Sequence, residues 1–271
     1  MKSKSSFLVL IFIYLNFLGF TQNVQRVISL TPSITENIYL LEAENKLVGC
    51  TNYCKLAVSD GKEIVGSTID VNLEKILSLK PDLVLTMELK KPQDIAAMKK
   101  LGINVVVYKS PKSFDGICEQ TLQIAELIGV DQRGVSVVES AKKRVSSIVE
   151  RMKSSEKKKM FFQIGASPIF TVLENTFMND FITFCNGENI AQGLTRGTIT
   201  REAVLVKNPD VIMIATMGGY GNDELKTWNS YEGMSAVKSG NVFLVDSETS
   251  CSPTPENFAE ALTQIYQNLK E

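Results

Sequence analysis

The chain has 271 residues, 44% of them hydrophobic, with 29 Lys and Arg against 30 Asp and Glu and no histidine at all. The balanced charge offers no basic patch or stripe for nucleic acid. The missing histidines remove the commonest zinc ligand, the usual general base and the Ser-His-Asp and Cys-His arrangements. No glycine-rich phosphate loop is present and no pair of carboxylates stands out, so the chain reads as a non-enzyme without catalytic residues, catalytic cofactor or metal site.

At the N-terminus, Lys2 and Lys4 precede an apolar run from Phe7 to Phe20, broken by Asn16 and Gly19. A positive segment before a hydrophobic stretch of this length is the pattern of a signal peptide, here residues 1–21, and it is short for a membrane span. No cysteine stands where a bacterial lipoprotein carries its acyl chains, so the expected product is released into the periplasm without a lipid anchor. Removal of the leader leaves 27 basic and 30 acidic side chains, a net charge of −3. The remaining chain, roughly 250 residues, fits one large domain or two lobes of ordinary size.

From Arg26 to Leu30 the chain reads as a strand running into Thr31-Pro32-Ser33 and a helical stretch. Residues 73–86 (LEKILSLKPDLVLT) then combine a short helix with a proline stop and a buried parallel strand. The same design returns at residues 201–214 (REAVLVKNPDVIMI), with a Glu seven residues ahead of Pro-Asp in each copy. Upstream of the second copy, Met160–Ile164 is another strand leading into Gly165-Ala166-Ser167-Pro168. Two ordered copies imply two lobes of similar α/β construction, residues 22–131 and 156–271. Between them, residues 132–155 contain no proline. Val135, Val138, Ala141, Val145, Ile148 and Met152 recur at three- and four-residue steps, which predicts one long amphipathic helix joining the lobes.

Five cysteines, Cys50, Cys54, Cys118, Cys185 and Cys251, lack the spacing of a disulfide-dense module. Cys50 and Cys54 are close enough to pair if their loop bends, whereas Cys118 and Cys185 suit an apolar core.

Taken in order, several stretches resemble the periplasmic solute-binding proteins whose two lobes are joined by a long helix. In the first lobe these are residues 26–33 (RVISLTPS), Val48-Gly49 through Tyr53, Asn72-Leu73-Glu74, residues 79–84 (LKPDLV) and Leu101-Gly102-Ile103. In the second they are residues 162–165 (FQIG) with Pro168 and Phe170, residues 185–190 (CNGENI), Arg201-Glu202 and Cys251-Ser252-Pro253. The likeness is greatest to the cobalamin-binding members. It implies two Rossmann-like lobes with mainly parallel sheets, a monomer, and capture of a small ligand for an ABC permease and its ATPase. The protein would dock at the membrane through the permease without spanning it. The resemblance makes Glu74 and Glu202 the permease-docking carboxylates; without it, each simply favours a first helical turn. The implied cargo is cobalamin, with an iron(III)-siderophore or haem as the alternative, and a non-transport enzyme or sensor on the same lobes as a further one.

Open parallel sheets bind ligands at the loops following their strands. Those loops offer Pro32, Ser33, Tyr53, Thr68 and Met87 in the first lobe and Ser167, Phe170, Tyr220, Ser250 and Cys251 in the second as ligand-binding candidates, and the resemblance adds Ile69 and Arg196. Thr31, Glu88, Pro168, Thr198, Met217 and Gly218 lie on the same loops. By the resemblance, Tyr53 and Phe170 fall on aromatic cleft positions. Ile69, Met87 and Arg196 stand where cobalamin binders carry tryptophan, and Ser250 where the enterobacterial type has arginine. Trp228 fits either the cleft rim or a packed position. A helical connection between the lobes predicts small domain motion on binding.

Overall fold

The computed structural model describes residues 24–67, 69–89, 91–215 and 218–270. The expected signal peptide, and with it Thr68 and Met217, lies outside the described residues.

The first lobe runs β1 (Val27–Ser29), α1 (Pro32–Leu40), β2 (Leu47–Cys50), α2 (Lys55–Ser59), β3 (Glu63–Ile64), α3 (Leu73–Ser78), β4 (Leu83–Met87), α4 (Pro92–Lys100) and β5 (Val105–Tyr108). Its five strands are all parallel, in the order β3-β2-β1-β4-β5. A sheet covered on both faces needs continuous apolar strands rather than alternating ones. Val27 thus enters one cluster with Ile34, Ile38 and Leu85, while neighbouring Ile28 enters another with Ile76, Val84 and Met98.

Next come α5 (Phe114–Leu127) and α6 (Asp131–Met152), and then the second lobe. It comprises β6 (Lys158–Ala166), β7 (Ile169–Thr171), α7 (Asn179–Phe184), β8 (Gly187–Asn189), α8 (Arg201–Lys207), β9 (Val211–Ile214), α9 (Gly221–Asn229), α10 (Ser235–Lys238), β10 (Val242–Leu244), α11 (Ser247–Ser250) and α12 (Pro255–Lys270). Its sheet is mixed: β10, β9 and β6 are parallel, β8 runs parallel beside the start of β6, and β7 folds back antiparallel on its end.

The connecting helix is α6. It ends at Met152, three residues before the expected Ser155, because the apolar stripe runs out there and the Ser155 hydroxyl and amide both donate to the Met152 carbonyl. Its buried face comprises Gly134, Val137, Val138, Ala141, Val145 and Ile148; Val135, expected on that stripe, is 43% exposed. Gly134 permits a close crossing, since a Cβ there would lie 2.5 Å from the Ala125 Cβ. Arg133 ties the first turn of α6 to the first lobe through Glu42 at 3.0 Å, and Arg144 ties its middle to Glu260 of α12 at 2.8 Å.

Helix α5 is shared as well. Phe114, Ile117 and Cys118 pack in the core of the second lobe with Phe181 and Phe258, whereas Ile124 and Ala125 pack in that of the first. The Phe114 ring stacks on Phe258 with centroids 4.6 Å apart. Thr121 donates to Asn37 of α1 at 2.6 Å in a buried site.

Candidate functional site

Between the lobes lies a cleft of about 900 Å³. One wall is α1, whose first residue, Pro32, has the fixed φ that suits a first helical turn. Ile34 and Ile38 turn into the core, while Pro32, Glu36, Tyr39 and Leu40 follow one another at helical spacing along the cleft. The N-terminus of α1 is fixed to the sheet, because the Met87 amide donates to the Thr31 hydroxyl at 3.0 Å. Tyr53 and Cys54 enter from the β2–α2 loop, where a turn places the Cys54 amide 3.0 Å from the Thr51 carbonyl. Opposite them stand α11, the approach to α12 and the first turn of α12, which supply Glu248, Cys251, Ser252 and Asn257.

Two sets of polar contacts cross from lobe to lobe. Lys55 and Glu248 form a 2.7 Å ion pair, with both side chains mostly in solvent. Deeper, the Glu36 carboxylate accepts from the Ser252 hydroxyl and from the Asn257 amide at 3.0 Å. Burial raises the Glu36 pKa; its two hydrogen bonds pull the other way. The remaining cleft carboxylate, Glu256, pairs with Arg144 of α6.

The thiols differ. The neighbouring Cys50 thiol, with the Thr35 and Thr51 hydroxyls, lowers the Cys54 pKa to about 6 against an ordinary value near 9, although burial acts upward. Burial alone pushes Cys185 up to about 12. Both Cys50 and Cys54 are free and buried.

Of the residues expected to meet ligand, the cleft surface gathers Pro32, Ser33, Tyr53 and Cys251, together with Thr31 and Gly218. Tyr53 is 55% exposed. Ile69, exposed, and Met87, half-buried, are not among the residues that form this surface, although the Met87 amide bonds Thr31, which is. Phe170 projects from β7, its ring lying over Gly165, where a Cβ would come within 2.9 Å of it. A bridge from Phe170 to Thr198 holds the exposed Arg196 nearby, and Ser167 is exposed in the β6–β7 turn. Tyr220 is exposed and folds back on Gly218.

One expected cleft residue is enclosed, and the two readings of Trp228 are decided. Ser250 has no exposed surface, and its hydroxyl donates to the Asp246 carbonyl at 2.7 Å inside α11, so it does not reach the cleft. Trp228 belongs to the core, donating from its indole to Gln163 at 2.7 Å.

Residues 27–249 match the model of the periplasmic binding protein family. The chain belongs to that family. An uncharacterized ABC transporter substrate-binding lipoprotein of Bacillus subtilis (strain 168) is 30% identical over 253 residues, 89% of this chain and 80% of the relative. A vitamin B12-binding protein of Yersinia pestis (strain Pestoides F) is 32% identical over 198 residues, 72% of this chain and 70% of the relative. Among solved structures, the periplasmic vitamin B12 binding protein of Vibrio cholerae superimposes with a TM-score of 0.78 at 25% identity, over 92% of this chain and 97% of that one. A periplasmic heme binding protein of the same species has the same TM-score at 18% identity, over 91% and 99%, a likeness of fold alone.

In this periplasmic binding protein Glu74 and Glu202 occupy matching places, each exposed in the first turn of a short helix, α3 or α8. The helices begin alike: Asn72 accepts from the Lys75 amide, and Thr200 from the Ala203 amide. Neither glutamate has an ion-pair partner among the described residues. No helix of the described residues is long and apolar enough to cross a membrane.

Sequence reasoning missed Glu36. A usable signal was there: Glu36 is the one charged residue of α1 and lies four positions after Pro32, on the same helical face.

Proposed function

We propose that this protein is the solute-binding component of an ABC importer, holding a corrinoid in the cleft and delivering it to the permease and its ATPase. The observation that carries the reading is a cleft of about 900 Å³ between two lobes braced by shared helices, with Tyr53 presented at its edge. Such a volume suits a bulky ligand bound by largely apolar walls with a few polar fixtures. Phe170 and Tyr220, exposed on the second lobe, extend the apolar surface available to a flat macrocycle. The B12-binding proteins among its relatives favour a corrinoid. The role is one of binding, without chemistry on the cargo, by a periplasmic monomer.

Delivery rests on Glu74 and Glu202, whose matched, unpaired carboxylates suit complementary cations on a permease. Such charges steer and orient an encounter more than they add affinity. A second cargo reading, haem or an iron(III)-siderophore, draws support from exposed Arg196 beside Phe170, since a guanidinium pairs with carboxylate or other anionic oxygens.

Calorimetry of the purified protein with cyanocobalamin, haem and a panel of ferric siderophores tests the cargo. Tightest binding of cyanocobalamin is expected; selective binding of an iron compound would transfer the role to the second reading, and binding of none would overturn both. In cells, Glu74→Ala with Glu202→Ala is expected to abolish uptake while leaving cargo affinity intact. Undiminished uptake would remove the docking role.

A further inference from the structure

We infer that Glu36 is the charge filter of the cleft, selecting cargo that offers hydrogen-bond donors or positive charge and rejecting cargo that brings carboxylates to that point. The inference rests on the capture role proposed above and concerns the same cleft. Its basis is the arrangement of charges on the cleft surface, where the ionisable acids and bases are Glu36, Lys55, Glu248 and Glu256 together with the Tyr39 and Tyr53 phenols and the Cys54 and Cys251 thiols.

Lys55 is committed to Glu248, and Glu256 to Arg144. Glu36 alone of the three carboxylates is in no ion pair: its hydrogen-bond partners are the neutral Ser252 hydroxyl and Asn257 amide, and the charge of Lys55, committed to Glu248, reaches it only from beyond contact distance. It stands where the lobes touch, half-buried, on the helical face shared by Pro32, Tyr39 and Leu40. A desolvated carboxylate held only by neutral donors keeps acceptor capacity to spare, since an ionised carboxylate offers about four lone-pair sites. A ligand amide or cation arriving there gains a charge-assisted hydrogen bond. A ligand carboxylate meets like charge in a partly dehydrated site. Arg196, the cation that favours an anionic ligand, is exposed beside β7 and is not part of the cleft surface.

The test uses pairs of ligands on one scaffold that differ in carboxylate charge: cyanocobalamin against its monocarboxylic acid, in which one side-chain amide is hydrolysed, and haem dimethyl ester against haem. Affinities are measured at mildly alkaline pH for the intact protein, Glu36→Gln and Glu36→Asp. Gln retains an oxygen for Ser252 and Asn257, so the lobe contact survives, and Asp restores the charge. The intact protein is expected to prefer the uncharged member of a pair by about tenfold or more, which corresponds to about 1.4 kcal/mol. The preference should fall to near unity in Glu36→Gln and return in Glu36→Asp.

An equal preference in the intact protein and Glu36→Gln would overturn the filter and leave the capture role standing. A preference of the intact protein for the carboxylate member would also overturn it and move the selecting charge to Arg196. Failure of both scaffolds to bind the intact protein would instead overturn the macrocycle cargo on which the inference rests.

Discussion

The two lobes are alike along one half of each sheet and unlike along the other. In both, a capped short helix ends in a left-handed residue, Lys80 (φ 47°) or Asn208 (φ 43°), directly before Pro-Asp and a buried strand. The aspartate then clamps the start of the lobe's first strand. Asp82 accepts from the Gln25 and Arg26 amides at 2.8 and 2.9 Å, and Asp210 from the Lys159 amide at 2.9 Å. β1, β4 and β5 correspond in this way to β6, β9 and β10. On the other side of that first strand the first lobe continues with parallel β2 and β3, whereas the second has only the short parallel β8 beside the start of β6 and turns back through β7 along its end. The repeated half sets the scaffold, and the divergent half supplies Tyr53 on one side and Phe170 on the other.

The interiors diverge too. Beneath α8 the second lobe carries a polar network: Arg201 pairs with Glu224 at 2.7 Å and lies 4.3 Å from the centre of the Trp228 ring, while Gln163 bonds both Glu224 and Trp228. At the position of Arg201 the first lobe has Leu73.

The largest expected effect in the comparison is Trp228→Ala, which empties a core site of the second lobe and should cost about 3–5 kcal/mol in urea unfolding. Because α5 enters both cores and α6 is tied to both lobes, the variant should still unfold in a single transition. Two separated transitions would mean that the lobes are more independent than their shared helices imply. Glu224→Ala should cost about 2–3 kcal/mol by leaving Arg201 without its anion; a fully buried pair would cost more, and these side chains keep 19% and 12% of their exposure. A neutral result would make the network dispensable and the lobes more alike than they look.

For the repeated half the expectation is near symmetry. Asp82→Ala should cost about 1–2 kcal/mol, and Asp210→Ala about 1, in proportion to the two amides against one. A reversed order would break the equivalence of the clamps.

The smallest effect concerns Cys54. Its folded pKa, about 6, lies below its ordinary value near 9, so the native state holds fewer protons than the unfolded chain between these pH values. Its contribution is therefore complete above pH 9 and is lost as pH falls through 6. Thermal melts should find the intact protein gaining on Cys54→Ser as pH rises across that interval. A constant difference would remove the lowered thiol pKa.

What the sequence displayed well was whatever repeats or is periodic. Pro-Asp after a short helix appears twice, and the α6 stripe is visible at three- and four-residue steps. What it concealed was partnership. The spacing of Phe114, Ile117, Thr121, Ile124 and Ala125 identifies an amphipathic helix, yet nothing in it states that the first pair enters one lobe and the last pair the other. The strand Met160–Ile164, running into Gly165-Ala166-Ser167-Pro168, reads in the sequence like β1 and its proline-containing loop. The antiparallel return of β7 depends on Phe170 finding room over Gly165, which is a spatial fact. Glu36 was overlooked for a similar reason: its partners, Ser252 and Asn257, lie more than two hundred residues further along the chain.

The shared helices have one more consequence. With α5 rooted in both cores and α6 tied to Glu42 at one point and to Glu260 at another, the delivery role proposed above carries the expectation that the span from Glu74 to Glu202 stays constant as a fixed gauge. A receptor that measured only this span would obtain the same reading from an empty carrier as from a full one. Any sense of occupancy has to come from the surface that the cargo covers between the two glutamates.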